Sequence, residues 1–159
     1  MTDRIKHIKA LLTKGAYGVG LSISLFTACG KVVESPVPNW RVYYEFSPQQ
    51  TAYRSLLAPG GMVLIPQSEV SSMSLSPMGI AVLRSLTSSD YYAFDLACPV
   101  ETNPLSRLEQ EGLALKCPRC GSRFDVTSGA GVPVEGIAQH PLRRYRASLT
   151  ARGTILVVN

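Results

Sequence analysis

The sequence predicts an all-β fold, a sandwich or barrel built from short strands. Two observations carry this expectation. Short runs of β-branched, aliphatic and aromatic residues recur at fairly regular spacing, and clusters of Pro, Gly, Ser, Asn or Asp separate them. The chain shows no long internal repeat and no phosphate-binding glycine loop.

The elements follow in order. Arg41-Val42-Tyr43-Tyr44-Glu45-Phe46 is rich in β formers and is broken by Pro48 and Gln49-Gln50. Thr51 to Leu57 reads as a short helix or a loop. Pro59-Gly60-Gly61 is a turn, and Met62-Val63-Leu64-Ile65 is a buried strand ended by Pro66. Residues 67–78 are rich in Ser and Met and give no periodic signal. Ile80-Ala81-Val82-Leu83-Arg84 is a strand, Thr87-Ser88-Ser89-Asp90 a turn, and Tyr91 to Leu96 a strand that runs directly into Cys98. Residues 102–112 are polar and read as loop, with a helical turn at Leu105 to Gln110. Leu113 to Lys116 is a strand running into Cys117. Phe124-Asp125-Val126 is a strand closed by Thr127-Ser128-Gly129. Leu142 to Leu149, the turn Ala151-Arg152-Gly153 and the strand Thr154 to Val158 complete the chain.

The first 28 residues read as an export signal. Arg4, Lys6, Lys9 and Lys14 form a basic start, and the apolar, small-residue stretch from Ala16 to Ala28 has the length of a signal h-region and is too short to span a membrane. It ends in Leu25-Phe26-Thr27-Ala28-Cys29-Gly30, which resembles a bacterial lipobox, with Phe26 where Leu is commonest. That resemblance implies a lipid on Cys29 and an exported lipoprotein anchored to a membrane of the bacterial cell envelope. An uncleaved amphipathic helix, or an ordinary signal cut after Ala28, are the alternatives. Residues 29–40, with Pro36 and Pro38, read as an extended tether, and 41–159 as the β domain. Removing residues 1–28 takes away three of the five net positive charges, so charge gives no reason to propose a nucleic-acid partner. Arg143, Arg144 and Arg146 around Tyr145 read as a solvated strand face, with contact to an anionic lipid or partner as the alternative.

With Cys29 lipidated, Cys98, Cys117 and Cys120 remain. Three thiols cannot all pair within one chain, which is a modest argument for a bound ligand. Cys98-Pro99 and Cys117-Pro118-Arg119-Cys120 each follow a strand and each begin Cys-Pro. Such turns aim thiolates and backbone amides at one spot, and two of them can face each other across an ion or cluster.

These segments resemble the two ligand loops of a Rieske domain, C-x-H and C-x-x-H. Cys98 and Val100 hold the first pair of positions, Cys117 and Cys120 the second, and sixteen residues separate Val100 from Cys117. Tyr91 to Ala97 resembles the family's strand before the first loop, Gly121-Ser122-Arg123-Phe124-Asp125 the segment after the second, and Gly136 to Leu142 the loop that covers the cluster, with Ile137 where Pro is usual. The resemblance spans about Pro59 to Val158. It implies a Rieske-like antiparallel β sandwich carrying a small metal-binding subdomain of two knuckle hairpins. It also implies that Ser122 hydrogen-bonds the cluster sulfur, while Phe124 lacks the hydroxyl that Tyr supplies in some high-potential members.

The ligand set departs from the family's. Val100 cannot ligate, Cys120 replaces a histidine, and His140 is the one histidine left once the signal is removed, so a two-histidine iron cannot be built. Cys98, Cys117 and Cys120 supply three thiolates, and His140 or Glu101 is the expected fourth ligand. Such a set suits zinc or an altered [2Fe–2S] cluster. A domain with no metal, held by a disulfide from Cys98 to Cys117 or Cys120, is the remaining alternative. Membrane-anchored electron transfer by a thiolate-rich centre is therefore the first functional expectation. Exchanging imidazole for thiolate adds negative charge and should lower the centre's potential. A non-redox binding module held by zinc or a disulfide is the second. An electron carrier or binding module is expected rather than an enzyme; its redox or binding partner is not encoded legibly.

Overall fold

The computed structural model describes residues 33–69 and 76–159. The export signal, Cys29, the start of the tether and the Ser/Met-rich stretch 70–75 lie outside the described residues. Among the described residues twelve strands fold into antiparallel sheets. They are β1 (Tyr43–Phe46), β2 (Met62–Ile65), β3 (Ile80–Arg84), β4 (Tyr91–Asp95), β5 (Ala97–Thr102), β6 (Leu105–Arg107), β7 (Glu109–Glu111), β8 (Ala114–Lys116), β9 (Arg123–Asp125), β10 (Val132–Glu135), β11 (Arg144–Leu149) and β12 (Ile155–Val158). The largest sheet has six strands in the order β1-β12-β11-β4-β3-β2. A four-stranded sheet runs β10-β9-β8-β7, and β5 pairs with β6. Thr51–Leu57 forms a 3₁₀ helix, resolving the ambiguity of that stretch.

Two apolar cores lie on opposite faces of the large sheet. On one face Tyr44, Phe46, Tyr53, Leu56, Val63, Ile65, Ile80, Val82, Ala93, Tyr145, Ile155 and Val157 pack together. On the other, Met62, Ala81, Leu83 and Phe94 meet Leu96, Cys98, Leu108, Leu115, Cys117, Phe124 and Val126 of the smaller sheets. Strand β3 serves both cores, which is why Ile80 to Leu83 is an unbroken apolar run rather than an alternating one. The cysteine-bearing hairpins are therefore a second layer on the β2–β4 end of the large sheet.

The layers are fastened at Asp95, the last residue of β4, which is fully buried. Its carboxylate accepts hydrogen bonds from Ser76 Oγ at 2.8 Å, the Ala97 amide at 2.7 Å and Tyr145 Oη at 2.7 Å. Leu96 then spans the step between layers. Its amide bonds Gly79 O and its carbonyl accepts the Leu108 amide at 2.7 Å. That last bond draws residues 105–111 into strands β6 and β7, where loop and a helical turn were expected. The three-residue spacing of Leu105 and Leu108 imitates a helix; Leu108 is in fact buried beside Leu96 in the second core. Strand β10 gave no sequence signal because it is an edge strand with exposed residues and a proline.

The N-terminal segment also differs from expectation. Ser35 and Val37, placed in the extended tether, are buried. The Arg143 guanidinium holds their carbonyls, with Nη2 at 2.8 Å from Ser35 O and 2.7 Å from Val37 O. Of the three clustered arginines, Arg144 and Arg146 lie on the exposed face of β11, with Arg144 over the Tyr92 ring at 5.6 Å, while Arg143 clamps the incoming chain.

Burial holds the Asp95 carboxyl above the ordinary aspartate value of 3.8, against the pull of its Tyr145, Ala97 and Ser76 hydrogen bonds and of Arg143. The unfolded chain thus ionises first as pH rises from 3.8, and the folded chain binds more protons until its own raised pKa is passed. Stability contributed by this group is complete below 3.8 and is lost as pH rises through the folded value. Asp95→Asn should keep the acceptor toward Ala97 and abolish this loss. Urea unfolding across pH 4 to 8 should show a shallower decline for the variant; identical pH profiles would contradict this account.

Candidate metal centre

Both knuckles are built from backbone first. In the first, Cys98 is the second residue of β5, and the pairing register with β6 is broken. Ala97 faces Arg107 and Thr102 faces Leu105, so residues 98–101 bulge out opposite Ser106. The bulge turns the amides of Val100 and Glu101 onto the Cys98 sulfur. In the second, the β8–β9 hairpin closes through Cys117 N–H to Ser122 O at 2.9 Å and Gly121 N–H to Cys117 O at 3.0 Å. Gly121 takes φ of +73°, which an L side chain rarely adopts. Here the amides of Arg119 and Cys120 point at the Cys117 sulfur. Each leading cysteine therefore receives the amides two and three residues on, an arrangement that stabilises a thiolate.

The hairpins bring Cys98, Cys117 and Cys120 together, with their Sγ atoms all within 4.8 Å of one another. Cys98 and Cys120 are 3.7 Å apart, and all three are free thiols. Cys98 and Cys117 are fully buried, and Cys120 is partly exposed. Burial pushes the Cys98 thiol up to about 12. Burial raises Cys117 too, but the Cys120 amide, the Ser106 hydroxyl and the Arg119 amide outweigh it, and the net shift is downward.

Ser122 stands behind Cys120. It is fully buried, its Oγ is 3.3 Å from Cys120 Sγ, and it accepts the amides of Ile137 and Ala138, both at 3.1 Å. In the thiol form the Cys120 S–H also points at Ser122 Oγ; toward a Cys120 thiolate the direction reverses, and with the amides on its lone pairs the hydroxyl donates its own proton to the sulfur. The same oxygen pins the loop after β10 over the site. That approach needs glycine at 136, where φ is +90° and a Cβ would lie 2.5 Å from Ser122 Cα.

The expected fourth ligands are not in the group. Glu101 pairs with Arg119 at 3.3 Å, and His140 is exposed on the covering loop. Val100, at the position of a family histidine, packs half-buried against the second core. One residue of the site escaped the sequence reading. Ser106 is 5% exposed, and its Oγ lies 3.5 Å from Cys117 Sγ.

The donors fit a thiophilic ion. A tetrahedral site with metal–sulfur bonds of about 2.3 Å has sulfur–sulfur edges of about 3.8 Å, and the observed Cys98–Cys120 separation is 3.7 Å. That distance is far beyond a disulfide bond of about 2.05 Å.

No protein-family model matches the chain, and no curated protein matches it. A solved structure titled as a complex of reduced oxygenase and oxidized ferredoxin in carbazole 1,9a-dioxygenase contains a chain with 19% identity and a TM-score of 0.46. The match covers 74% of this chain and 93% of that one.

Ser122→Ala should leave the Ile137 and Ala138 amides without their acceptor and cost about 1–3 kcal/mol. Thermal unfolding should show the loss, and hydrogen exchange should show faster exchange at these two amides. Unchanged exchange there would contradict the role given to Ser122.

Proposed function

We propose that this chain is a Rieske-like domain that holds a thiolate-ligated metal centre, with Cys98, Cys117 and Cys120 bound to one four-coordinate ion. The observation that carries this is the convergence of three thiols from two facing knuckles to within 4.8 Å. Zinc and iron both suit such a set. With zinc the centre pins β5 to the β8–β9 hairpin and the domain is a binding module. With iron it carries single electrons, and its thiolates favour the oxidised state.

A second reading keeps the family's [2Fe–2S] cluster and electron transfer. It is supported by the loop spacing and by Ser122, whose hydroxyl faces a ligand sulfur as the resemblance implies. The close approach of Cys98 to Cys120 favours the one-ion reading. In the family pattern these two positions belong to different irons.

Metal and sulfide analysis of the full-length chain, purified without oxygen with iron and zinc supplied, tests both readings. One zinc or iron per chain without sulfide is the expected result. Iron with equal sulfide and a visible absorption band selects the cluster, and absence of metal removes both. Cys98→Ser, Cys117→Ser and Cys120→Ser should each abolish stoichiometric metal; full occupancy in any one would remove that residue as a ligand.

We also propose that the mature chain is held at a bacterial membrane by lipid on Cys29. Support comes from the Thr27-Ala28-Cys29 ending of the apolar leader. Among the described residues no helix is long and apolar enough to cross a membrane. Cys29→Ala should move the protein from the membrane to the soluble fraction, and retention would sink the lipid anchor.

A further inference from the structure

We infer that Ser106 Oγ is the fourth donor of the centre. This rests on the one-ion reading above. Three thiolates leave one corner of a tetrahedron, and neither Glu101 nor His140 belongs to the thiol group. Ser106 stands beside one of the three thiols. Its Oγ is 3.5 Å from Cys117 Sγ. A tetrahedral edge between sulfur at about 2.3 Å and oxygen at about 2.0 Å from the metal is about 3.5 Å.

Strand pairing explains why Ser106 reaches this place. It is the residue of β6 opposite the bulge that carries Cys98, between the pairs Ala97–Arg107 and Thr102–Leu105. Its neighbours Leu105 and Arg107 are half-buried and exposed, so alternation turns Ser106 inward, where its hydroxyl meets the Cys117 sulfur.

The contrast with Ser122 separates the two serines. Ser122 Oγ already accepts two amides and serves the Cys120 sulfur from behind. Among the described residues Ser106 Oγ accepts only the Cys117 S–H, a bond that ends once Cys117 binds a metal as thiolate, which leaves the lone pairs of a 95% buried hydroxyl free at that moment. A buried hydroxyl oxygen left this way is costly unless something accepts its electrons. Charge favours it as well. A divalent ion with three thiolates and a neutral hydroxyl carries one net negative charge, against two with a carboxylate as fourth ligand, and each extra charge in a buried site is expensive.

The test is Co(II) titration of the full-length, reduced, metal-free chain, read by its ligand-field bands and its sulfur-to-cobalt charge-transfer band. Wild type should give a tetrahedral spectrum of three-thiolate intensity. Ser106→Ala should lower affinity at least about tenfold, the loss typical of residues that merely support a ligand, and shift the ligand-field bands. Ser106→Cys should raise the charge-transfer band toward four-thiolate intensity, and Glu101→Gln and His140→Ala should leave spectrum and affinity unchanged. If Ser106→Ala binds and absorbs as wild type, or a folded Ser106→Cys keeps three-thiolate intensity, the inference is overturned while the one-ion centre stands. If Ser106→Ala does not fold, the Ser106→Cys spectrum decides alone. If wild type binds no Co(II), the one-ion reading and this inference both fall.

Discussion

The buried carboxylate of Asp95 is the point on which the arrangement depends. It ends β4, a strand of the sheet that separates the two cores, and stands three residues before Cys98. Ser76 reaches it from the loop before β3, Tyr145 from β11, and the Ala97 amide from the first knuckle. A group this buried fixes the chain direction because each oxygen must find its donors. The chain therefore leaves the large sheet in one orientation, and the bulge that follows places the Cys98 sulfur against the β8–β9 hairpin. Leu96 completes the joint by bonding both Gly79 and Leu108.

The second knuckle needs less long-range support because its geometry is local. Cys117 to Ser122 closes on itself through two backbone bonds and a left-handed glycine. What comes from afar is the cover: Gly136 lets the loop approach Ser122, and the Ile137 and Ala138 amides settle on its hydroxyl oxygen. One knuckle thus depends on the large sheet and the other on its own turn. A metal ion between them would tie the two together, and its charge would compensate thiolates in an apolar site where Arg119 is already paired with Glu101.

The fold was legible where the signal is local. Apolar runs such as Ile80 to Leu83 announce strands without tertiary information, and Cys-Pro after a strand announces a knuckle. What was hidden depends on distant partners. Asp95 and Tyr145 are fifty residues apart, and no local pattern links them. The clamp of Arg143 on Ser35 and Val37 spans more than a hundred residues, so an extended Pro-containing segment read as free tether. Ser106 was missed for a related reason. In a polar stretch one serine looks like its neighbours, and only the bulge on the facing strand turns it inward. Glu101 was attractive because its C-x-x-E spacing copies Cys117 to Cys120, but spacing takes no account of an arginine in the facing knuckle.

The most direct test of the central claim is X-ray absorption at the metal edge of the full-length chain as isolated without oxygen. The account predicts three sulfur scatterers at about 2.3 Å, one lighter atom near 2.0 Å, and no metal–metal scattering. Two or fewer sulfurs, or a metal neighbour beside the absorber, would contradict a single ion held by Cys98, Cys117 and Cys120.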